Sequence, residues 1–101
     1  MHEAAGILEV FGCVAAFVAA DAAAKAADVR IEAIDKNKPA NADALPVPLI
    51  TCLKIRGSVA AVEAAMDAAE QAAEGITGVI TRHIIPAPSE DCEKMLRISA
   101  I

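Results

Sequence analysis

ILEVFGCVAA, residues 7–16, and CLKIRGSVAA, residues 52–61, decide the fold of this 101-residue chain. The two stretches align at an offset of 45 residues, which places Gly12 on Gly57 and, starting two residues later, Val-Ala-Ala on Val-Ala-Ala. Alanine matches alone carry little weight in an alanine-rich chain. The shared order of a strand-like run, a glycine and a helix that opens with Val-Ala-Ala is much less expected by chance. It predicts one unit that occurs twice, at 5–34 and 50–80. Two units are too few for a solenoid, which needs at least three.

Strand-like runs open and close each unit. In the run 49–56, Leu53 and Ile55 alternate with Lys54 and Arg56, which is the two-residue period of a strand. Runs of similar character occupy residues 5–11, 29–34 and 79–85. The order β-α-β-β-α-β predicts an α+β, ferredoxin-like fold with an antiparallel sheet and both helices on one face.

A helical pattern follows each of the two glycines, which favour a sharp turn from strand to helix. Ser58 is a typical N-cap for the second helix, and Gly75 is predicted to end that helix as its C′ residue. The second helix has an acidic stripe at Glu63, Asp67, Glu70 and Glu74, and an apolar stripe at Val59, Val62, Met66, Ala69 and Ala73. In the first helix, Asp21 and Lys25 have the spacing of an i,i+4 ion pair.

Two segments lie outside the repeat. Residues 36–48 form a polar, proline-bearing loop between the units. Residues 89–101 form a tail, in which Ser89 is placed to cap a short helix. The whole chain, 1–101, is short enough to be one domain.

The composition favours assembly with other copies of the chain. Hydrophobic residues make up 56% of the sequence and aromatic residues only 2%, and the mean hydropathy is +0.48. Much of this apolar content is alanine, which buries little area per residue, so contacts between copies would add burial that one chain lacks. Charged residues from Glu9 to Asp28 interrupt the only apolar stretch that approaches the about 20 residues of a membrane span.

Charge and cysteine content indicate the cellular setting. The net charge is −5 and there is no basic cluster, which argues against a nucleic-acid partner. The start of the chain, Met1-His2-Glu3, lacks the basic region of a signal peptide. Cys13, Cys52 and Cys92 form no CxxC motif and are odd in number, so reduced thiols in the cytoplasm are expected.

The sequence contains no recognisable catalytic motif. Neither GxGxxG nor GxxxxGK[ST] is present, and the two histidines, His2 and His83, do not have metal-ligand spacing. Cys13 at a helix start has a position that can activate a thiol, but a small buried side chain is the favoured interpretation, and Cys52 is expected in the strand core. We therefore predict no catalytic, cofactor or metal site, and no enzyme activity.

Four segments together carry a resemblance to a known family. They are residues 5–10 with Gly12, residues 20–27, residues 56–62 and residues 83–88. In this order and spacing they resemble the single-domain shell proteins of bacterial microcompartments, and the resemblance covers nearly the whole chain. It implies a flat cyclic hexamer that tiles edge to edge into a cytoplasmic protein shell. Other shell proteins and encapsulated enzymes are the implied partners.

The resemblance also implies roles for particular residues. Lys25 matches the family's edge lysine, which lies along its neighbour where two hexamers meet. The family's usual arginine in the His-x-Ile-Pro-Arg-Pro motif is replaced here by Ala87, which removes one donor between hexamers.

The loop departs from the family pattern as well. The usual pore loop is short and glycine-rich, whereas residues 36–48 contain no glycine and three prolines, which stiffen the backbone. The predicted pore-lining residues are Asn37, Lys38, Pro39, Ala40, Asn41, Ala42, Asp43, Ala44, Leu45 and Pro46. Six such loops are expected to narrow, plug or reshape a central pore for metabolites.

Similar loop variants occur in shell proteins of glycyl-radical-enzyme compartments, some of which are credited with an iron–sulfur site on a loop cysteine. This loop has no cysteine, so no cluster is expected. The main alternative to a shell protein is a ferredoxin-like regulatory oligomer that binds a small molecule. Such sensors generally carry a glycine-bearing loop, unlike this one. A small hydrolase on the same fold is disfavoured by the missing anion-binding motif.

Overall fold

The computed structural model describes residues 3–99, which form one antiparallel sheet with two helices on one face and a third, short helix on the other. The elements are β1 (Ala4–Phe11), α1 (Cys13–Ala26), β2 (Arg30–Asn37), β3 (Ile50–Gly57), α2 (Val59–Glu74), β4 (Val79–Ile85) and α3 (Glu90–Leu96). The four strands are ordered β2-β3-β1-β4, and neighbouring strands are antiparallel. The ferredoxin-like prediction is therefore confirmed.

The core lies between the sheet and the layer of α1 and α2. Leu8 and Val10 of β1 and Leu53 and Ile55 of β3 face the helices and are fully buried. The helices contribute mainly alanine to this core, at positions 15, 16, 19, 20 and 23 in α1 and 65, 69 and 73 in α2, together with Val62 and Met66. Because the distance between packed helices depends on the side chains between them, alanine allows close contact.

β2 is longer than the sequence predicts. It starts at Arg30 and continues to Asn37, three residues beyond the predicted 29–34. Lys36 pairs with Thr51 and Asn37 with Ile50, so both belong to the sheet rather than to the loop. Pairing with β3 outweighs the low strand preference of such polar residues, because strand preference depends strongly on the partner strand. The loop proper is therefore 38–49.

Two turns are predicted at glycines, one after β1 at Gly12 and one after α2 at Gly75. Gly12 has φ 84°, which confirms a glycine-dependent turn from β1 into α1. Gly75 directly follows the last residue of α2, which confirms the predicted end of the helix, but it is the C-cap rather than the C′ residue and keeps a right-handed φ of −73°. The positive φ, 120°, occurs instead at Gly78. Between them the chain makes a further turn, in which Ala73 O accepts from the backbone N–H of Gly78 at 3.0 Å.

The predicted N-caps are both confirmed. Ser58 Oγ accepts a hydrogen bond from the N–H of Ala61 at 3.1 Å, and Ser89 Oγ accepts one from the N–H of Cys92 at 3.2 Å. The apolar stripe of α2 is buried except at Val59, which is 41% exposed. Across residues 3–99, no helix is both long and apolar enough to cross a membrane.

Candidate functional site

The loop between β2 and β3 is folded rather than extended. Residues Ala42–Ala44 form a short 3-10 helix, and Leu45 N–H closes it by donating to Ala42 O at 3.1 Å. Ala42 N–H donates in turn to Pro39 O at 3.0 Å, and the Ala42 side chain is buried. The loop therefore has its own backbone hydrogen bonds in addition to the stiffness of its prolines.

The returning limb of the loop packs on the turn between β1 and α1. Gly12 N–H donates to Leu49 O at 2.8 Å. A Cβ on Gly12 would lie 3.5 Å from Val47 Cγ1, so the limb touches the glycine directly. This contact fixes the loop at the end of the subunit where α1 begins.

The predicted pore-lining residues fall on this one end of the subunit, in different environments. Asn37 is the last residue of β2 and is exposed. Exposed side chains continue at positions 38, 40, 41, 43, 44 and 46, whereas Pro39 and Leu45 are half-buried and Ala42 is buried. The side chain of Ala42 therefore supports the loop from within, and its neighbours provide the exposed surface.

Lys25 lies at the opposite end of the same helix. It is in the last turn of α1, and its Nζ is 2.7 Å from Asp21 Oδ2, with both side chains largely exposed. Twelve residues separate Cys13 from Lys25, which corresponds to about 18 Å along a helix axis. The structure thus keeps the loop and Lys25 apart and places them at the two ends of α1.

A charged cluster occupies the sheet face that α1 and α2 leave open. Since side chains alternate along a strand, Arg56 points away from the core that Leu53 and Ile55 enter, yet its side chain is buried. Its guanidinium binds the Glu93 carboxylate of α3 through both oxygens, with Nη1–Oε2 at 2.7 Å and Nη2–Oε1 at 2.5 Å. This hydrogen-bonded pair raises the pKa of Arg56 and lowers that of Glu93.

Further contacts extend this cluster on both sides. Arg56 also donates to the backbone, from Nε to Ala4 O at 3.2 Å and from Nη2 to Glu3 O at 3.1 Å. Lys54 forms an ion pair with Asp35 and donates from Nζ to Ile98 O at 2.9 Å. The cluster therefore fastens α3 and the residues after it to the sheet.

Sequence reasoning missed this cluster, because it used Lys54 and Arg56 only as evidence for the two-residue period of a strand. A signal was nevertheless present. Two cations lie on one strand face, and three acids, Glu90, Asp91 and Glu93, lie in the first turn of a short tail helix that needs a docking surface.

In the described part of the chain, Cys13, Cys52, Cys92 and His83 do not assemble into a reactive site. Cys13 is half-buried and its Sγ is 3.7 Å from Thr51 Oγ1. Cys52 is also half-buried and lies on the open face rather than in the core between sheet and helices, so its predicted position is wrong. Burial and the nearby Glu9 raise the pKa of the Cys52 thiol. His83 is exposed in β4, and His2 lies outside the described residues. Within residues 3–99, no group of three or more His, Cys, Asp and Glu side chains is arranged for a metal ion.

Comparison with protein families identifies the fold. Residues 4–88 match the model of the BMC domain. The chain belongs to the BMC domain family. This confirms the resemblance carried by the four sequence segments, and the matched range includes both the loop and Lys25. The match ends at Pro88, so α3 (Glu90–Leu96) lies outside the matched range.

Relatives of this BMC-domain chain are similar over almost their whole length. The bacterial microcompartment shell protein PduA of Citrobacter freundii is 39% identical over 95 residues, which cover 94% of this chain and 92% of PduA. The shell protein EutM of Salmonella typhimurium is 37% identical over 97 residues, 96% of this chain and 92% of EutM. The crystal structure of a microcompartment protein from Desulfitobacterium hafniense superposes with a TM-score of 0.72 at 25% identity. This chain is covered completely in that superposition and spans 50% of the other chain's length.

Proposed function

We propose that this BMC-domain chain is a structural subunit of a bacterial microcompartment shell in the cytoplasm, and that it is not an enzyme. The observation that carries the proposal is similarity to PduA and EutM over more than nine-tenths of each chain. Both relatives are named as shell proteins. In the proposed shell, the chain forms cyclic hexamers that tile edge to edge with other shell proteins around encapsulated enzymes.

Exposed apolar side chains on α1 support assembly. Val14 is 66% exposed, Phe17 is 56% exposed and Val18 is 37% exposed, and all three lie within two turns of one helix. Contiguous apolar surface of this kind marks interaction sites in soluble proteins. The core between sheet and helices is largely alanine, which buries little area, so burial between subunits would add needed stability.

The positions of the loop and Lys25 support a particular orientation in the hexamer. A tile needs one end of the subunit at its axis and the other at its rim. The loop at the start of α1 is proposed to face the axis, and Lys25 near the end of α1 is proposed to contact the neighbouring hexamer.

The folded loop supports a narrowed pore without a cofactor. Six copies of residues 37–46 around an axis would bring six proline-stiffened 3-10 turns together, where a glycine-rich loop would leave an opening lined by backbone amides. An iron–sulfur cluster is not part of this proposal, because the loop has no cysteine. An association with glycyl-radical enzymes stays a prediction.

Native mass spectrometry and negative-stain microscopy of the purified chain test the proposal. Six-subunit species by mass, together with six-fold rings or hexagonal sheets on the grid, are expected. Discrete dimers or trimers whose mass or stability responds to added metabolites would contradict the shell role and favour the regulatory oligomer.

A further inference from the structure

The segment that begins at α3 lies outside the core between the sheet and α1–α2, and polar contacts of Glu93, Ile98 and Ser99 attach it to the sheet. The cluster of buried core residues runs from Ala4 to Ala73 and contains no residue of α3. Within α3 and the residues after it, Leu96 is buried, whereas Met95 is 62% and Ile98 50% exposed. The core between the sheet and α1–α2 therefore does not depend on this segment.

Each cation under the segment has one set of partners on the sheet side and another on the segment. Arg56 keeps the carbonyls of Glu3 and Ala4 if Glu93 leaves. Lys54 keeps Asp35 if the carbonyl of Ile98 leaves. Opening would thus leave neither cation without a partner, which removes the largest penalty for separating a buried ion pair.

The segment also has the form of a separate unit. It follows Pro86-Ala87-Pro88, where helix or strand structure is interrupted. Helix α3 has seven residues, and helices this short are unstable in water without a docking surface. Loss of the docking contacts would therefore unfold the helix as well as release it.

We infer that residues 90–99 form a strap that closes over the open face of the sheet and opens as a unit, and that the contact of Glu93 with Arg56 is its catch. When closed, the strap buries Arg56 and the adjoining strip of β3. When open, it uncovers that strip on one face of the subunit while the BMC domain stays folded. Besides the contact of Lys54 with Ile98, a third fastening point is Ser99, whose Oγ donates to Ile34 O at 3.0 Å.

Limited proteolysis of the full chain with chymotrypsin, followed by mass spectrometry, tests the catch. Cleavage after Leu96 requires the strap to open, because Leu96 is buried at the end of α3 when the strap is closed. Glu93→Gln keeps the shape of the side chain and removes its charge. Since a hydrogen bond to a charged group contributes enough to change an equilibrium about tenfold, cleavage after Leu96 is expected to become about tenfold faster.

Glu90→Gln is the matched control. It removes an acid from the same first turn of α3, with the same effect on charge and helix dipole, at an exposed position. Its cleavage rate after Leu96 is expected to stay within about twofold of the parent, as for a surface substitution. Equal rates for Glu93→Gln and Glu90→Gln would overturn the catch.

Cleavage after Phe11 in β1 reports whether the whole domain unfolds. This rate is expected to stay unchanged in Glu93→Gln. A parallel rise at Phe11 and Leu96 would show global unfolding and overturn the strap. Amide hydrogen exchange of the parent protein gives a reading without substitution: residues 92–98 are expected to exchange together and faster than β3, and protection equal to that of β3 would also overturn the strap.

Discussion

At the scale of single residues, Lys25 shows how little a local contact reveals about a role in assembly. Its ion pair with Asp21 joins two exposed side chains, and such pairs contribute only about 0.3–0.5 kcal/mol. If Lys25 acts in contacts between hexamers, its loss should affect the assembly of hexamers into sheets but not the folding of the subunit. Lys25→Ala is expected to leave the urea midpoint and the hexamer mass unchanged and to abolish or sharply reduce hexagonal sheets by negative-stain microscopy.

Lys94→Ala is the control for that substitution. Lys94 is also an exposed lysine at the end of a helix, with Asp91 of its own helix 3.7 Å away. Sheets that persist in Lys25→Ala, or that disappear equally in Lys94→Ala, would exclude a specific edge contact for Lys25.

At Gly6, β1 lies directly against side chains of α2. A Cβ there would lie 2.9 Å from both Met66 Sδ and Val62 Cγ1, inside a fully packed core. Gly6→Ala is therefore expected to destabilise the subunit by about 1–3 kcal/mol, the usual effect of overpacking. Urea unfolding followed by circular dichroism measures this change.

Gly75→Ala is the companion substitution, because Gly75 has an ordinary φ and an added Cβ there would be 3.5 Å from Ala72 O. It is expected to be neutral or to stabilise by a few tenths of a kcal/mol, through the lower entropy of the unfolded chain. A urea midpoint of Gly6→Ala equal to that of Gly75→Ala would mean that the core accommodates the added methyl group without a loss of stability.

At the scale of elements, the two serine N-caps make the same kind of hydrogen bond, but they cap helices that contribute differently to the stability of the subunit. Ser58 caps α2, which is packed into the core, so Ser58→Ala is expected to lower the free energy of unfolding by about 1 kcal/mol. Ser89 caps α3 alone. Ser89→Ala is expected to leave the urea midpoint unchanged while increasing hydrogen exchange in residues 92–98. Equal midpoint shifts for the two variants would show that α3 folds as part of the core.

The strap also makes a prediction about pH. The pKa of Glu93 is lowered, first by its hydrogen bonds with Arg56. Arg30 and Glu32 from β2, Glu3 before β1 and Arg97 of the strap also act on this charged cluster. A carboxyl with a lowered pKa stabilises the closed state above its ordinary pKa, 4.5, and that contribution is lost as the pH falls through the lower, folded value.

Strap opening in the parent protein is accordingly expected to be independent of pH near neutrality and to increase below about pH 4.5. Glu93→Gln should be open to the same extent at neutral and acid pH, so the two proteins converge in acid. Hydrogen exchange of residues 92–98, corrected for the intrinsic pH dependence of exchange, measures this. A difference between parent and Glu93→Gln that does not shrink as the pH falls below 4.5 would assign the stabilisation to another group.

An element could be predicted well where the residues that determine it lie within the element itself, and poorly where they lie elsewhere in the chain. The bounds of β4 are those predicted, 79–85, and α2 follows its apolar stripe because a helical period is contained within the helix itself. The extension of β2 through Lys36 and Asn37 depends on β3, which follows in the chain. The catch joins Arg56 to a residue 37 positions away, and no periodicity in either element indicates that pairing.

The same limit applies to the candidate site. The composition of the loop could be read directly, and so could its contrast with a glycine-rich family loop. Its 3-10 turn, the burial of Ala42 and the contact of its returning limb with Gly12 could not, because none of them follows a sequence period and the contact joins Gly12 to residues 47–49, far along the chain. Which residues of 37–46 present side chains outward is therefore structural information that the sequence alone did not contain.

At the scale of the whole molecule, the two ends of the subunit along α1 differ. The loop is fixed at the start of this helix by the hydrogen bond from Gly12 to Leu49, and Lys25 is in its last turn. A radial orientation of α1 in the proposed hexamer would bring six loops to the axis and six lysines to the rim simultaneously. This arrangement predicts that changes in the loop alter the pore without altering the edges of the tile.

The loop can therefore be exchanged as a test of the pore. Replacing residues 38–48 by a short glycine-containing turn keeps Leu49, the acceptor for Gly12, and removes the 3-10 helix. Hexamers and sheets are expected to form as before, because Lys25 and α1 are untouched, while density on the six-fold axis in an averaged cryo-microscopy map is expected to decrease and leave a wider opening. Removing only the stiffness, with Pro39 and Pro46 both changed to alanine, should give weaker axial density without a new opening. The opposite result would be a loop exchange that leaves the axial density unchanged and alters the density at the outer rim. It would place the loop away from the pore and reverse the proposed orientation of the subunit.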